Sequence, residues 1–381
     1  MKTTTLRLGL PALLLAAACS SSRTGTMSVH LVDAPADYEH IYLHIVRVEA
    51  HSDVSGWFTL SDKEFLHLDL LSLKDGVSAT LADKAPLAAG RYTQLRLVLG
   101  DGNKVVLKGD TTEYDLTVPS GLQTGVKLVC NVDVQEGSDT DVVVDVNGPH
   151  SILLHDTGVV PTKYILRPVV FCAAATTAGV QTAGSISGTL SGKENIETPD
   201  VALEGVEVTA QVVDSGEATI VQSTITDSHG FYTLDNLPFG HTYYVVSQPL
   251  QASNSWQAKA SGAIALSSSA PTGTWTTSFG DLAATGDVNG TITWTSTPAP
   301  SPTDPDQVWA RQSLGAPQPL IVRTADATTP GVFNFLDLPV GSYTLSATRT
   351  TGTGTVESQP PVSVTVTPGA STPAAPVIAF P

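Results

Sequence analysis

Side chains able to do chemistry are sparse and scattered along this chain. Asp33, Asp37 and Glu39 put three carboxylates into the seven residues "DAPADYE". A hard cation such as Ca²⁺ takes several oxygens of this kind. The same residues also make a turn, in which Asp caps local N–H groups and Pro35 fixes φ. The turn is the reading adopted, and no metal is assigned. His40 and His44 follow on one face of an expected strand, about 13 Å apart at the strand rise. One metal at about 2.0 Å from each nitrogen cannot bridge that span. "GTLSGK" (188–193) resembles a phosphate loop only in outline. Three residues, not four, separate its glycines, and Glu194 follows the lysine where Ser or Thr would hold Mg²⁺. It is read as a strand end and turn. No G-x-S-x-G, H-E-x-x-H or C-x-x-C occurs. No catalytic residue and no cofactor is assigned, and the chain is expected not to be an enzyme.

Trp256, Trp275, Trp294 and Trp309 lie in the second half. Exposed indoles stack on sugars, whereas buried ones pack cores, and Trp is usually largely buried. Beyond Cys19 there are two cysteines, Cys130 and Cys172. In an oxidising compartment an even pair usually bonds, and this pair would close a loop of about 40 residues for roughly 3–4 kcal/mol. Two buried free thiols are the alternative.

Cys19 carries the most specific signal. Lys2 and Arg7 precede the apolar run Leu8–Ala18, which is too short for the ~20 residues that span a bilayer. That pattern fits a signal peptide over 1–18. "LLLAAACSSS" then resembles the bacterial lipobox, whose cysteine is lipidated and becomes the first mature residue. It departs in having Ala16 where Leu is usual; an ordinary signal peptide is the alternative. Residues 19–26 would form a tether, and in a host with two membranes Ser20 after the cysteine implies an outer-membrane address; the expected location is the outer membrane or cell surface. Each buried CH₂ of the acyl chains adds about 0.8 kcal/mol of anchoring.

The elements that must position these residues are strands. Gly 32 and Pro 25, with abundant Thr, Ser and Val, favour strands and turns. No long 3.6-residue apolar stripe occurs. Formal charge is −17. Such an acidic chain repels phosphate backbones, which makes nucleic acid an unsuitable partner.

Between 27 and 171 ten short segments carry strand signals, from "MSVHLVD" (27–33) to "KYILRPVVF" (163–171), and many of them alternate apolar and polar residues. Period-2 alternation marks half-buried antiparallel strands. "SVHLVDAPADYEHIYLHIVRVEAHS", "LDLLSLKDGVSATLADKAPLAAGRYTQLRLVLGDGNKVV", "LTVPSGLQTGVKLV" and "YILRPVV" resemble the DUF4382 family, in the family's order. The resemblance implies an exported, often lipid-anchored envelope protein and brings no agreed activity.

Further on, "GSISGTL" (184–190) recurs as "GDVNGTI" (286–292), and "GFYTLDNLPFG" (230–240) as "GVFNFLDLPVG" (331–341). Blocks at nearly constant offset imply two copies of one unit. "LEGVEVTAQVV", "TDSHGFYTLDNLPFG" and "YYVVS" resemble the carboxypeptidase regulatory-like, transthyretin-like β-sandwich, usually a non-catalytic accessory. The second copy lacks the Asp of "TDSHG" and carries a proline-rich insert over 296–307.

The expected architecture is all-β, with three β-sandwich domains in tandem: 27–173, a linker over 174–183, then 184–283 and 285–381. The expected role is a lipid-anchored envelope protein acting as a stalk or adhesive array, with the membrane as partner and a glycan or envelope protein as a further one. A starch-like glycan-binding lipoprotein is the first rival and an enzyme of unrecognised type the second.

Overall fold

The computed structural model describes residues 23–380 apart from 34–37, 53, 74–76, 119–125, 147–151, 156–162, 167–169, 178–179, 194–198, 215, 252–253, 295–305, 328–330, 352–353, 359 and 370–375. Among the described residues the chain is all-β, with one 3₁₀ turn at Leu70–Ser72. Three successive units each hold an apolar core between two sheets.

In the N-terminal unit the long strand Tyr38–Ser52 shows why alternation makes a sheet. Ile41, Leu43 and Ile45 are buried, while His40, Tyr42 and His44 between them are half-buried on the opposite face. This strand is the hub of a nine-stranded sheet, pairing with Gly56–Ser61, Phe65–Asp69, Gly90–Leu99 and Lys104–Leu107. The opposing five-stranded sheet includes Thr24–Asp33. That strand runs parallel to Asp139–Val146 and antiparallel to Ala79–Ala88. Val29, Leu31, Val142 and Val144 point from it into the shared core.

Two sequence expectations change here. Residues 24–26, read as tether, begin the first strand. The segment 174–183, read as linker, is mostly paired: Val170–Thr177 lies against Asp139–Val146, Val180–Gln181 folds back on it, and the next unit's first strand begins at Ala183. The run of Ala and Thr before Gly179 has no strong strand pattern of its own, and it extends because a neighbouring strand supplies the hydrogen bonds.

The middle and C-terminal units repeat one design. Ala183–Gly192 and Thr285–Trp294 open them and pair with Phe231–Pro238 and Val332–Pro339 in the same register. Ile186 meets Leu234, and Val288 meets Phe335, each pairing following a shift at Gly184 and Gly286. Asn236 (φ 59°) and Asp337 (φ 52°) hold the same left-handed position in both copies, which Asn and Asp tolerate best among residues with a Cβ. A parallel strand closes each sheet: Thr272–Thr274 on the first opening strand, and Val377–Phe380 on the second. Gly188 and Gly290 admit those segments closely, since a Cβ there would collide with the Trp275 carbonyl and the Pro376 carbonyl respectively.

The second sheets correspond as well. Glu207–Asp214 lies between Glu217–Ile225 and Thr242–Ser247. Gln307–Gln312 lies between Leu320–Asp326 and Gly341–Thr351. Each copy anchors the turn into its last long strand with a tyrosine. Tyr243 donates to the Pro238 carbonyl, and Tyr343 to the Pro339 carbonyl at 2.7 Å. Burial pushes both the Tyr232 and Tyr343 phenols up.

Tyr343 is 2% exposed, so Tyr343→Phe strands the buried Pro339 carbonyl. The expected loss is about 1–2 kcal/mol of stability, read as a lower midpoint at unchanged slope in urea unfolding.

Candidate functional site

The residues singled out by sequence are not gathered in one place. Cys19 and Asp37 lie outside the described residues. Asp33 is buried at the end of its strand, with its N–H donated to the Leu73 carbonyl at 3.3 Å, whereas Glu39 is exposed. Among the described residues, no three His, Cys, Asp or Glu side chains converge as metal ligands.

The histidines are occupied otherwise. His44 is clamped through both ring nitrogens, Nδ1 at 2.8 Å from the Asp101 carbonyl and Nε2 at 2.6 Å from Glu64. The Asp101 carbonyl, joined by Glu64 and opposed by burial, raises its pKa. His40 Nδ1 lies 2.8 Å from Asp69. Its ring stacks on Tyr42, which stacks in turn on His67 with ring centres 3.9 Å apart.

None of the four tryptophans of the second half is fully exposed. Trp256 is 1% exposed in the middle core, with its indole N–H donated to the Lys193 carbonyl at 3.1 Å. It has no face to offer a sugar. Trp275 packs half-buried against the same core, and Trp294 against the C-terminal one. Arg349 covers the Trp294 ring and Arg311 the Trp309 ring, at 4.8 and 4.7 Å. The "GTLSGK" segment is the end of the Ala183–Gly192 strand.

Cys130 and Cys172 are joined, with Cα atoms 5.2 Å apart, inside the range a disulfide requires. Cys130 belongs to the nine-stranded sheet and Cys172 to the five-stranded one. The bond therefore fastens the two layers of the N-terminal sandwich to each other.

The most elaborate polar chemistry lies where units meet, and sequence reasoning missed it. At the joint between the middle and C-terminal units, the fully buried Gln211 acts as a peptide. Its Oε1 accepts the Ile321 N–H at 2.9 Å, and its Nε2 donates to the Ile321 carbonyl at 2.6 Å. Beside it Arg323 donates to Gln248 Oε1, while Gln248 Nε2 donates to the Trp256 carbonyl at 2.8 Å. Burial lowers the pKa of the Arg323 guanidinium, opposed mainly by the Glu207 charge. An apolar cluster of Ala218, Val246 and Leu320 seals this joint.

At the joint between the N-terminal and middle units, Asp145 meets Gln222. Both are buried, at 5% and 4% exposure, and Gln222 Nε2 donates to Asp145 Oδ2 at 2.5 Å. Gln211 and Asp145 sit on the polar phase of alternating strands, where sequence places them in solvent, and Gln222 stands at a bulge opposite Ala210. No local signal separates a polar residue facing water from one facing another unit.

Fold and joints together define a multi-unit, all-β chain with one disulfide-braced unit. Residues 24–168 match the family described as a domain of unknown function, DUF4382. The match covers the N-terminal unit, as the sequence resemblance implied. No curated protein matches the chain. Among solved structures the chain is similar to the Bacillus anthracis TIE protein, at 12% identity and TM-score 0.21, covering 94% of this chain and 50% of that one. It spans about half the length of that protein. It is also similar to GBS52, the minor pilin of Streptococcus agalactiae, at 12% identity and TM-score 0.20, covering 52% of this chain and 97% of that one. A third is BcpA, the major pilin subunit of Bacillus cereus, at 8% identity and TM-score 0.19, covering 93% and 99% respectively. No helix of the described residues is long and apolar enough to cross a membrane.

Two measurements follow from these contacts. Reduction of Cys130–Cys172 is expected to lower stability by roughly 3–4 kcal/mol, and the denatured, unreduced chain should yield neither of these thiols to a thiol reagent. Gln211→Ala removes both partners of the Ile321 peptide, at a cost of about 1–3 kcal/mol for each buried group left unpaired. Calorimetry should then show the unfolding of the middle and C-terminal units separating.

Proposed function

We propose that this chain is a non-catalytic structural or adhesive protein of the cell envelope, exported and held to the membrane by lipid on Cys19. The observation that carries the reading is the construction of the joints. Successive units are fastened by buried, geometrically specific hydrogen bonds, Gln211 to the Ile321 peptide and Gln222 to Asp145. Bonds of this kind resist rotation between units, whereas an open linker would leave them free. Fixed joints suit a protein whose task is to hold a position or span a distance. The interiors agree with such a task, since the cores are filled by side chains such as Trp256, Phe333 and Phe335. The DUF4382-like unit stands next to the membrane, and the two repeated units extend the chain from it. The acidic surface keeps an exported chain soluble and disfavours nucleic acid as a partner.

Protease shaving of intact cells tests this reading, with antibody against the C-terminal unit and Cys19→Ala alongside wild type. In wild type the unit is expected to be digested on intact cells, and Cys19→Ala should move the protein from the membrane to the soluble fraction. Protection of wild type on intact cells, with digestion after lysis, would place the chain inside the envelope and end the adhesive reading. Unchanged fractionation of Cys19→Ala would remove the lipid anchor.

A further inference from the structure

The joint between the N-terminal and middle units contains a carboxyl group whose surroundings suit its neutral form. Asp145 lies on the outward face of the Asp139–Val146 strand, and the middle unit covers it. Its Oδ2 accepts the single bond from Gln222 Nε2, and its Oδ1 is buried with no hydrogen-bond partner. Gln222 has no second donor to spare for that oxygen. Its Nε2 is shared with the Asp235 carbonyl at 3.4 Å, and its Oε1 accepts the Ser223 N–H at 3.0 Å. An ionised carboxylate wants several donors, and an unpaired buried oxygen carries the full cost of its lost water.

The charged groups around it do not compensate. The Phe231–Pro238 strand brings Asp235, a like charge. The Glu217–Ile225 strand presents Gln222 here, and its Glu217 lies near Arg311 at the other joint. The Val170–Thr177 strand brings no ionisable group besides the bonded Cys172. On the Thr24–Asp33 strand, His30 stands 3.8 Å from Asp141 rather than Asp145. Among the described residues packed here, no cation faces Asp145.

We propose that this joint is a proton-operated latch, closed over the buried Asp145 while it carries a proton and loosened when Asp145 ionises. Burial first, then the Asp235 charge, raise the Asp145 carboxyl to about 7 against the opposing Gln222 bond. In an opened joint, Asp145 returns to the ordinary carboxylate range near 4. The closed joint therefore binds the proton more tightly. Closure is at full strength below the ordinary range, weakens as pH rises, and levels off once pH passes about 7. The conformation of an envelope protein would in this way follow the acidity of its surroundings.

Hydrogen exchange on the full chain tests the latch, using protection factors corrected for the intrinsic pH dependence of exchange. The reporters are the Phe239 amide, bonded to the Thr182 carbonyl, and the Ser223 amide, bonded to Gln222. In wild type, protection at both should fall by up to tenfold per pH unit between about pH 5 and 7 and then level off. Asp145→Asn keeps the shape and cannot ionise, so its slope across that range should be diminished, leaving only what Asp235, itself raised by burial, contributes. Asp235→Asn removes the like charge and should move the level-off to lower pH. Wild-type protection independent of pH, or an undiminished slope in Asp145→Asn, would overturn the proposal. Should Asp145→Asn fail to fold, Asp235→Asn decides the matter, and a level-off that stays in place overturns it equally.

Discussion

A β-strand cannot choose which of its side chains face inward. Successive residues point to opposite sides, so a sheet with an apolar inner face carries a polar outer face along its whole length. Everything distinctive in this chain follows from where that outer face goes. In the N-terminal unit part of it meets water, as the ladder of half-buried His40 and Tyr42 and exposed His67 shows. Where units meet, the outer face is itself buried, and its polar groups must find partners inside the protein. Gln211 solves this by imitating a peptide and adding one rung of β-ladder across the boundary. Asp145 solves it only in part.

This constraint explains which parts of the structure were legible in the sequence. Alternation such as that of "HIYLHIVRVEAH" fixes which residues face the core, and Ile41, Leu43 and Ile45 are buried accordingly. The repeat was legible because its landmarks are backbone requirements rather than side-chain preferences. The register shift at Gly184 recurs at Gly286, and the left-handed residue Asn236 recurs as Asp337. The Cys130–Cys172 bond was legible from cysteine number and expected compartment, with no need to know the pairing of strands.

The misread parts share one physical cause. The segment "AAATTAGVQT" carries no strong pattern of its own, and its part up to Thr177 becomes strand because Asp139–Val146 supplies a long-range edge. Gln211 and Asp145 are ordinary outward polar residues until another unit covers them. Tryptophan gives the converse case. Trp256 belongs to the interior, where its N–H finds the Lys193 carbonyl, and Trp294 and Trp309 each lie beneath an arginine. Composition counts indoles and local pattern gives their phase, but the covering group arrives from far along the chain.

The two joints illustrate why polar contacts, rather than apolar ones, suit an assembly made of similar units. Two apolar faces meet in many orientations at similar free energy, and they invite copies of the chain to associate. A carboxamide bonded to both groups of one peptide meets its partner in one orientation. It remains soluble when the partner is away. The apolar cluster beside Gln211, with Ala218, Val246 and Leu320 buried at its centre, seals the joint without a preferred direction, and the amide supplies one. The joint at Asp145 obeys the same geometry with a different chemical group. A carboxamide has the same charge at every physiological pH, and a carboxyl does not. Replacing the one by the other preserves the direction of a contact and makes its strength conditional. The chain holds one joint of each kind, with the unconditional one between the two repeated units and the conditional one where the repeats meet the DUF4382-like unit.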